Sequence, residues 1–174
     1  VLESTFCLDL EHVRRLVNDN TRGIVLVHFG GMITPDIDDF VKFCNERELF
    51  LIDDAAHAPG AMLDGNAAGS FGSAGCFSFY PTKVITAGEG GMLTTNDDKL
   101  AMYARSQQHR GRDMDASTEQ YLFPGRNIRM TEIAALLGRV QLSHLDEFLE
   151  QRQKLAGVYQ DEFQGDKRVT IVLP

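Results

Sequence analysis

Apolar residues recur along the chain with two different periods, and the alternation between the two limits the fold. Asp9 stands where a helix cap is expected, ahead of Leu10, Val13, Leu16 and Val17, which share one helical face. GIVLVHF at 23–29 follows as an unbroken apolar run, the pattern of a strand covered on both sides. Thr34 and Pro35 then open a second helix, in which Pro at the first position loses no hydrogen bond. Its Ile37, Phe40, Val41 and Cys44 lie at i, i+3, i+4 and i+7, a single stripe that makes Cys44 a core residue. LFLID at 49–53 reads as the next buried strand and runs into Asp53 and Asp54. After a glycine-rich stretch from Gly60 to Gly75 come two more strands, CFSFY at 76–80 and GGMLTTN at 90–96. Asn96 caps a helix running to about Gln108. Two amphipathic segments follow, one through Ile133, Leu136, Leu137 and Val140 and one from Leu145 to Phe163, and RVTIVLP reads as a last strand.

Helices alternating with strands predict an α/β domain with a mostly parallel sheet and flanking helices, in which ligands sit at the carboxyl ends of strands. With 174 residues and no repeat or linker, the chain reads as one domain, 1–174. Only RGRDMDASTEQ at 110–120 lacks core residues, and it is the segment expected to be disordered. Hydrophobic residues at 43% and charged residues at 24% exclude a disordered or fibrous chain. Lys and Arg number 17 against 25 Asp and Glu, and the net charge of −8 disfavours nucleic acid or an anionic membrane as a partner. Cys7, Cys44 and Cys76 are odd in number and widely spaced, so neither a disulfide framework nor a zinc site is indicated and a reducing compartment fits. No run approaches a membrane span and the first residues lack the order of a signal peptide, so the expected location is the cytoplasm.

Chemistry concentrates after the second and third strands. Lys83 follows a strand and precedes Gly88, Gly90 and Gly91, a place where partial desolvation would lower an amine's pKa and let it condense with a carbonyl; the alternative is a solvated loop lysine. Asp54 ends the preceding strand, so adjacent parallel strands would bring both groups to one crevice. A carboxylate there either partners a protonated pyridine nitrogen, keeping the ring an electron sink, or caps the helix after it. His57 would share a face with Asp54 if that segment turns helical, and Ser78 stands close enough to Lys83 to bind a phosphate on the same ligand or simply to bond the backbone. No Walker A loop, GxGxxG, GxSxG or metal-ligand spacing occurs.

LIDDAAHAPGA, FGSAGCFSFYPTKVITAGEGGMLTTND and PGRNIRMTEIAALLGRVQL resemble, in order and spacing, the DegT/DnrJ/StrS family of sugar aminotransferases. The resemblance runs from about Phe6 to Phe163. It implies the large domain of the aspartate-aminotransferase fold (type I), pyridoxal 5'-phosphate as cofactor and a homodimer with active sites at the interface. It also implies amination of a keto group on a nucleotide-linked sugar, with glutamate or glutamine as donor. Lys83 matches the lysine that holds the cofactor as an internal aldimine and moves the proton, Asp54 the carboxylate on the pyridine nitrogen, and His57 the residue against the ring. Ser78 matches the serine on the phosphate, and Asn127 the asparagine that reaches the neighbouring subunit's phosphate. Arg129 is assigned to structure or the interface, and QQHRGRD departs from the family's run, so His109 receives no role. Family dehydratases carry histidine in place of Lys83, which favours transamination here.

The resemblance extends only to the central part of the large domain, and the chain opens on Val1 rather than Met, so a piece truncated at both ends is expected. Such a sheet would expose an edge and an apolar face. The competing expectation is therefore a non-catalytic fragment that associates with itself or a partner.

Overall fold

The computed structural model describes residues 1–172. Helix α1 (Leu10–Leu16) starts at Asp9, whose side chain accepts the His12 N–H, as its capping position predicts. Strand β1 (Gly23–Val27) leads through a short turn at Phe29–Gly31 to α2 (Ile37–Glu46) and then β2 (Phe50–Asp54). A two-residue hairpin, β3 (Met62–Leu63) and β4 (Asn66–Ala67), precedes β5 (Ala74–Ser78) and β6 (Gly91–Thr94). Three helices close the chain: α3 (Asp98–Gln108), α4 (Glu132–Ser143) and α5 (Leu145–Glu162).

The main sheet has the order β1-β2-β5-β6. Its first three strands run parallel and β6 is antiparallel to β5, so the mostly parallel α/β architecture expected of the sequence is the one observed. Ile24, Leu26 and Leu51 point to one face, where Ile37, Phe40, Phe43 and Cys44 of α2 cover them and form the core. Each large side chain buried there contributes about 1.5–3 kcal/mol.

The opposite face differs from expectation. β1 alternates exposed and buried rather than being buried throughout. Val25 is 57% and Phe50 64% exposed on the uncovered side. An apolar run reports that both faces of a strand suit burial but not which element supplies the cover.

Boundaries also move. α2 begins at Ile37 rather than Pro35, because residues 34–37 form a turn closed by the Ile37 N–H on the Thr34 carbonyl, at 3.1 Å. Asp97, not Asn96, caps α3, its carboxylate accepting the Lys99 and Leu100 N–H groups. The hairpin was hidden in the glycine-rich stretch; Asp64 and Gly65, both at positive φ, are the pair that a tight primed turn selects. The 110–120 segment is not loose: Arg110 N–H bonds Arg126 O, Asp113 N–H bonds Gln120 O, and Leu122 N–H bonds Gly111 O. Residues 168–172 form no strand, since no neighbour offers them a ladder; the last two residues of RVTIVLP lie outside the described residues.

Candidate active site

Strand alternation decides which side chains meet. Asp53 and Asp54 are consecutive on β2 and therefore face opposite sides of the sheet. Asp53 turns inward with Leu51 and is fully buried. Asp54 faces the open side, in register with Val27 on β1 and Cys76 on β5. Ser78, two residues beyond Cys76, shares that face at the carboxyl end of β5. Asp54 and Ser78 are thus brought onto one surface by adjacent parallel strands.

Asp54 is half-buried, and its Oδ1 accepts the Ala56 N–H at 3.1 Å. It caps a turn rather than a helix, because residues 55–58 do not turn helical, and the expected helical face shared with His57 does not form. Among the described residues Oδ2 takes no bond, which leaves one acceptor open at the sheet end. His57 reaches the same region differently. Its exposed ring accepts the Gly30 N–H at Nδ1 (3.4 Å) and meets the Phe29 ring edge-on at 5.5 Å. The turn after β1 therefore orients it.

Ser78 Oγ accepts the Tyr80 N–H at 3.3 Å, so its hydroxyl proton is free to donate. Lys83 lies five residues past β5 in a turn held by its own N–H on the Tyr80 carbonyl, at 3.0 Å, and its side chain forms no ion pair among the described residues. Asn127 pairs across an isolated bridge with His109, is exposed, and accepts Arg129 Nε–H at Oδ1, 3.1 Å. The bridge gives His109 a backbone role that the sequence left unassigned. A cleft of about 500 Å³ lies between α4 and the glycine turn, lined by Gly90, Gly91, Gln108, Ile128, Arg129 and Leu137 among others. None of the five expected site residues lines it.

Three buried polar residues escaped the sequence reading. Asp53 Oδ2 accepts the Phe71 and Gly72 N–H groups at 2.9 and 3.3 Å, tying β2 to the segment that leads into β5, while Oδ1 has no partner. His28 and Thr34 are fully buried, and among the described residues neither ring nitrogen of the one nor the hydroxyl of the other is bonded. Burial pushes the His28 pKa below its ordinary value, against the attraction of Asp53 and Asp54. Burial likewise raises the Cys76 thiol, helped by the neighbouring Asp54 and Asp53 charges. Counting parity along GIVLVHF would have found His28, which shares the inward side with Ile24 and Leu26.

The fold and these positions define an α/β protein with a polar site at the carboxyl ends of parallel strands. The chain belongs to the DegT/DnrJ/EryC1/StrS aminotransferase family, whose sequence model matches residues 1–173. It is 42% identical over 160 residues to a GDP-perosamine synthase of Caulobacter vibrioides, covering 91% of this chain and 42% of that protein. Among solved structures, Helicobacter pylori PseC, an aminotransferase of pseudoaminic acid biosynthesis, superposes with a TM-score of 0.89 at 28% identity, covering 95% of this chain and 45% of that one. An E. coli GDP-4-keto-6-deoxy-D-mannose-3-dehydratase with bound hydrated pyridoxal phosphate gives a TM-score of 0.83 at 26% identity over 94% of this chain and 46% of that one. The chain spans somewhat less than half the length of these relatives. No helix among the described residues is long and apolar enough to cross a membrane.

Proposed function

We propose that this chain carries the cofactor side of a pyridoxal-phosphate-dependent aminotransferase that aminates a keto group on a nucleotide-linked sugar. The observation that carries the reading is the placement of Asp54 and Ser78 on one sheet face with the Lys83 turn directly after β5. The residues fit the group. Asp54 Oδ2 is an open acceptor suited to a protonated ring nitrogen, the Ser78 hydroxyl can donate to a phosphate, and the Lys83 amine suits an aldehyde. Pyridoxal phosphate, when bound, supplies an aldehyde that accepts the amino group and a ring that withdraws electrons from the reacting carbon.

The chain's own groups do the rest. Asp54 would hold the ring nitrogen protonated, His57 would lie against the ring, Ser78 would hold the phosphate, and Lys83 would serve as the proton-carrying amine. Retention of Lys83 supports transamination rather than dehydration. The sugar nucleotide is supported by the GDP-sugar names of two relatives; glutamate or glutamine is the proposed donor. A homodimer is proposed, in which Asn127 serves the neighbouring subunit's phosphate, and the proposed location is the cytoplasm.

Borohydride reduction of the purified chain with pyridoxal phosphate, followed by peptide mapping, tests the assignment. The reduced adduct is expected on Lys83 and is expected to vanish in Lys83→Ala. An adduct that survives this substitution, or none in the wild type, sinks it. A second reading, association without turnover, is favoured by the exposed Val25 and Phe50 on the open sheet face.

A further inference from the structure

Between β5 and β6 the chain leaves the sheet at Phe79 and returns at Gly90, the Phe79 N–H bonding the Gly90 carbonyl at 2.9 Å. The segment that carries Lys83 is closed off inside this excursion by the Thr86 hydroxyl together with one backbone bond. Thr86 Oγ1 donates to the Phe79 carbonyl at 3.0 Å and accepts the Gly88 N–H at 2.9 Å. The Ala87 N–H bonds the same Phe79 carbonyl at 3.0 Å. Ile85 and Ala87, on either side of Thr86, are 4% and 5% exposed, so the neck is anchored in the protein, while residues 80–82 are exposed and Lys83 and Val84 are half-buried. The Thr86 N–H in turn bonds Gln141 Oε1 of α4 at 3.4 Å. Phe79 immediately follows Ser78. The hydroxyl and the Ala87 N–H together fix where the Lys83 turn starts and ends relative to β5, and the hydroxyl alone also holds the Gly88 N–H.

We infer that Thr86 is a positioning residue for Lys83: its hydroxyl clamps the neck of the 80–85 turn to the Phe79 carbonyl and holds the amine in register with Ser78. The inference rests on the reading of Lys83 as the cofactor lysine. Without the hydroxyl, the Phe79 carbonyl keeps only the Ala87 donor and the Gly88 N–H loses its acceptor, although Gly88 must hold φ of +77° to close the turn. Thr86→Val preserves the branched shape and removes the hydroxyl; Thr86→Ser does the reverse.

Amide hydrogen exchange read residue by residue, together with the rate of borohydride trapping of pyridoxal phosphate on Lys83, is measured for the wild type and both variants. In Thr86→Val the Gly88 amide should exchange about tenfold faster while the β1 amides keep their wild-type rates, and trapping on Lys83 should slow by about the same factor. Thr86→Ser should restore both. Unchanged Gly88 exchange in Thr86→Val overturns the clamp, as does a Thr86→Ser protein that behaves like Thr86→Val. Faster exchange with undiminished trapping overturns the positioning role. A wild type that traps the cofactor on another lysine, or on none, overturns the Lys83 reading instead, and Gly88 exchange then decides the clamp by itself.

Discussion

His28 and Asp53 show how one residue of parity separates structure from chemistry. Asp53 and Asp54 are the same side chain at adjacent positions, yet one is sealed beneath the sheet and the other opens at its end. The inward one is stabilised by two backbone donors, the Phe71 and Gly72 N–H groups, and these draw the 71–72 segment against β2. The His28 ring, in the same layer, has no hydrogen-bonding partner among the described residues, and burial lowers its pKa despite the two nearby carboxylates. Its folded pKa lies below its unfolded value, so between the two the unfolded chain binds more protons. The stability that a neutral His28 contributes is complete above the ordinary histidine pKa and is lost as pH falls below about 6.5 toward the folded value. Each unit of depression corresponds to roughly 1.4 kcal/mol. Urea unfolding between about pH 7.5 and 5 should therefore show stability falling on acidification, and His28→Leu should flatten that part of the slope. An identical slope in the variant would assign the loss to other groups.

At the scale of elements, β5 is the strand on which the site depends, and Gly75 shows why a small residue stands in it. A Cβ there would be driven into the Gly69 carbonyl and Cα and into the Thr94 hydroxyl, which itself donates to Gly69 O at 2.8 Å. These are backbone atoms in a closed layer, so the neighbours cannot give way cheaply. Gly75→Ala should lower stability by about 1–3 kcal/mol, read as a lower urea midpoint with unchanged slope. Gly157 in α5 meets nothing within 4 Å, and Gly157→Ala should raise stability by about 0.5–1 kcal/mol. The same sign for both would mean that packing around Gly75 relaxes. Elements of this kind were partly legible in the sequence. Periodicity located α1, α2, the four strands of the main sheet and the long α5, because a buried stripe or run leaves its mark in composition, whereas the strand it suggested at RVTIVLP does not form over residues 168–172. Caps and turns shifted by one to three positions, since Asn96 and Asp97 are both competent caps and only the bend of the chain selects between them. The β3–β4 hairpin is only two residues per strand and has no room for a pattern, yet its Asp-Gly turn was present to be read.

For the molecule as a whole, the parallel architecture follows from the spacing of helices and strands, while the open sheet face does not. GIVLVHF is equally apolar whether an element of its own chain, a second copy or water lies against it. The placement of the candidate residues was legible to the extent that strand order governs it: the crevice expected for Asp54 and Lys83 has its counterpart in the sheet face that Asp54 and Ser78 share, because β2 and β5 are parallel neighbours. The condition set for His57, a helical segment after Asp54, is not met, and Asn127 sits on a bridge that no local pattern announces. What the molecule gains from this arrangement is a coupling between its apolar face and its chemistry. Val25, Val27 and Phe50 share the surface on which Asp54 stands, and β1 borders it as the edge strand, its outer side unpaired among the described residues. Whatever covers the apolar part would also exclude water from the carboxylate, and in lower dielectric the ion pair proposed for Asp54 would be stronger. Self-association should then run through this face. Sedimentation velocity over a wide concentration range should show the wild type associating and a Val25→Lys, Phe50→Lys double variant remaining monomeric, while Ile133→Lys on the exposed face of α4 should leave association unchanged. If Ile133→Lys dissociates the protein and the double variant does not, the contact lies on α4, and water is kept from Asp54 by some other means.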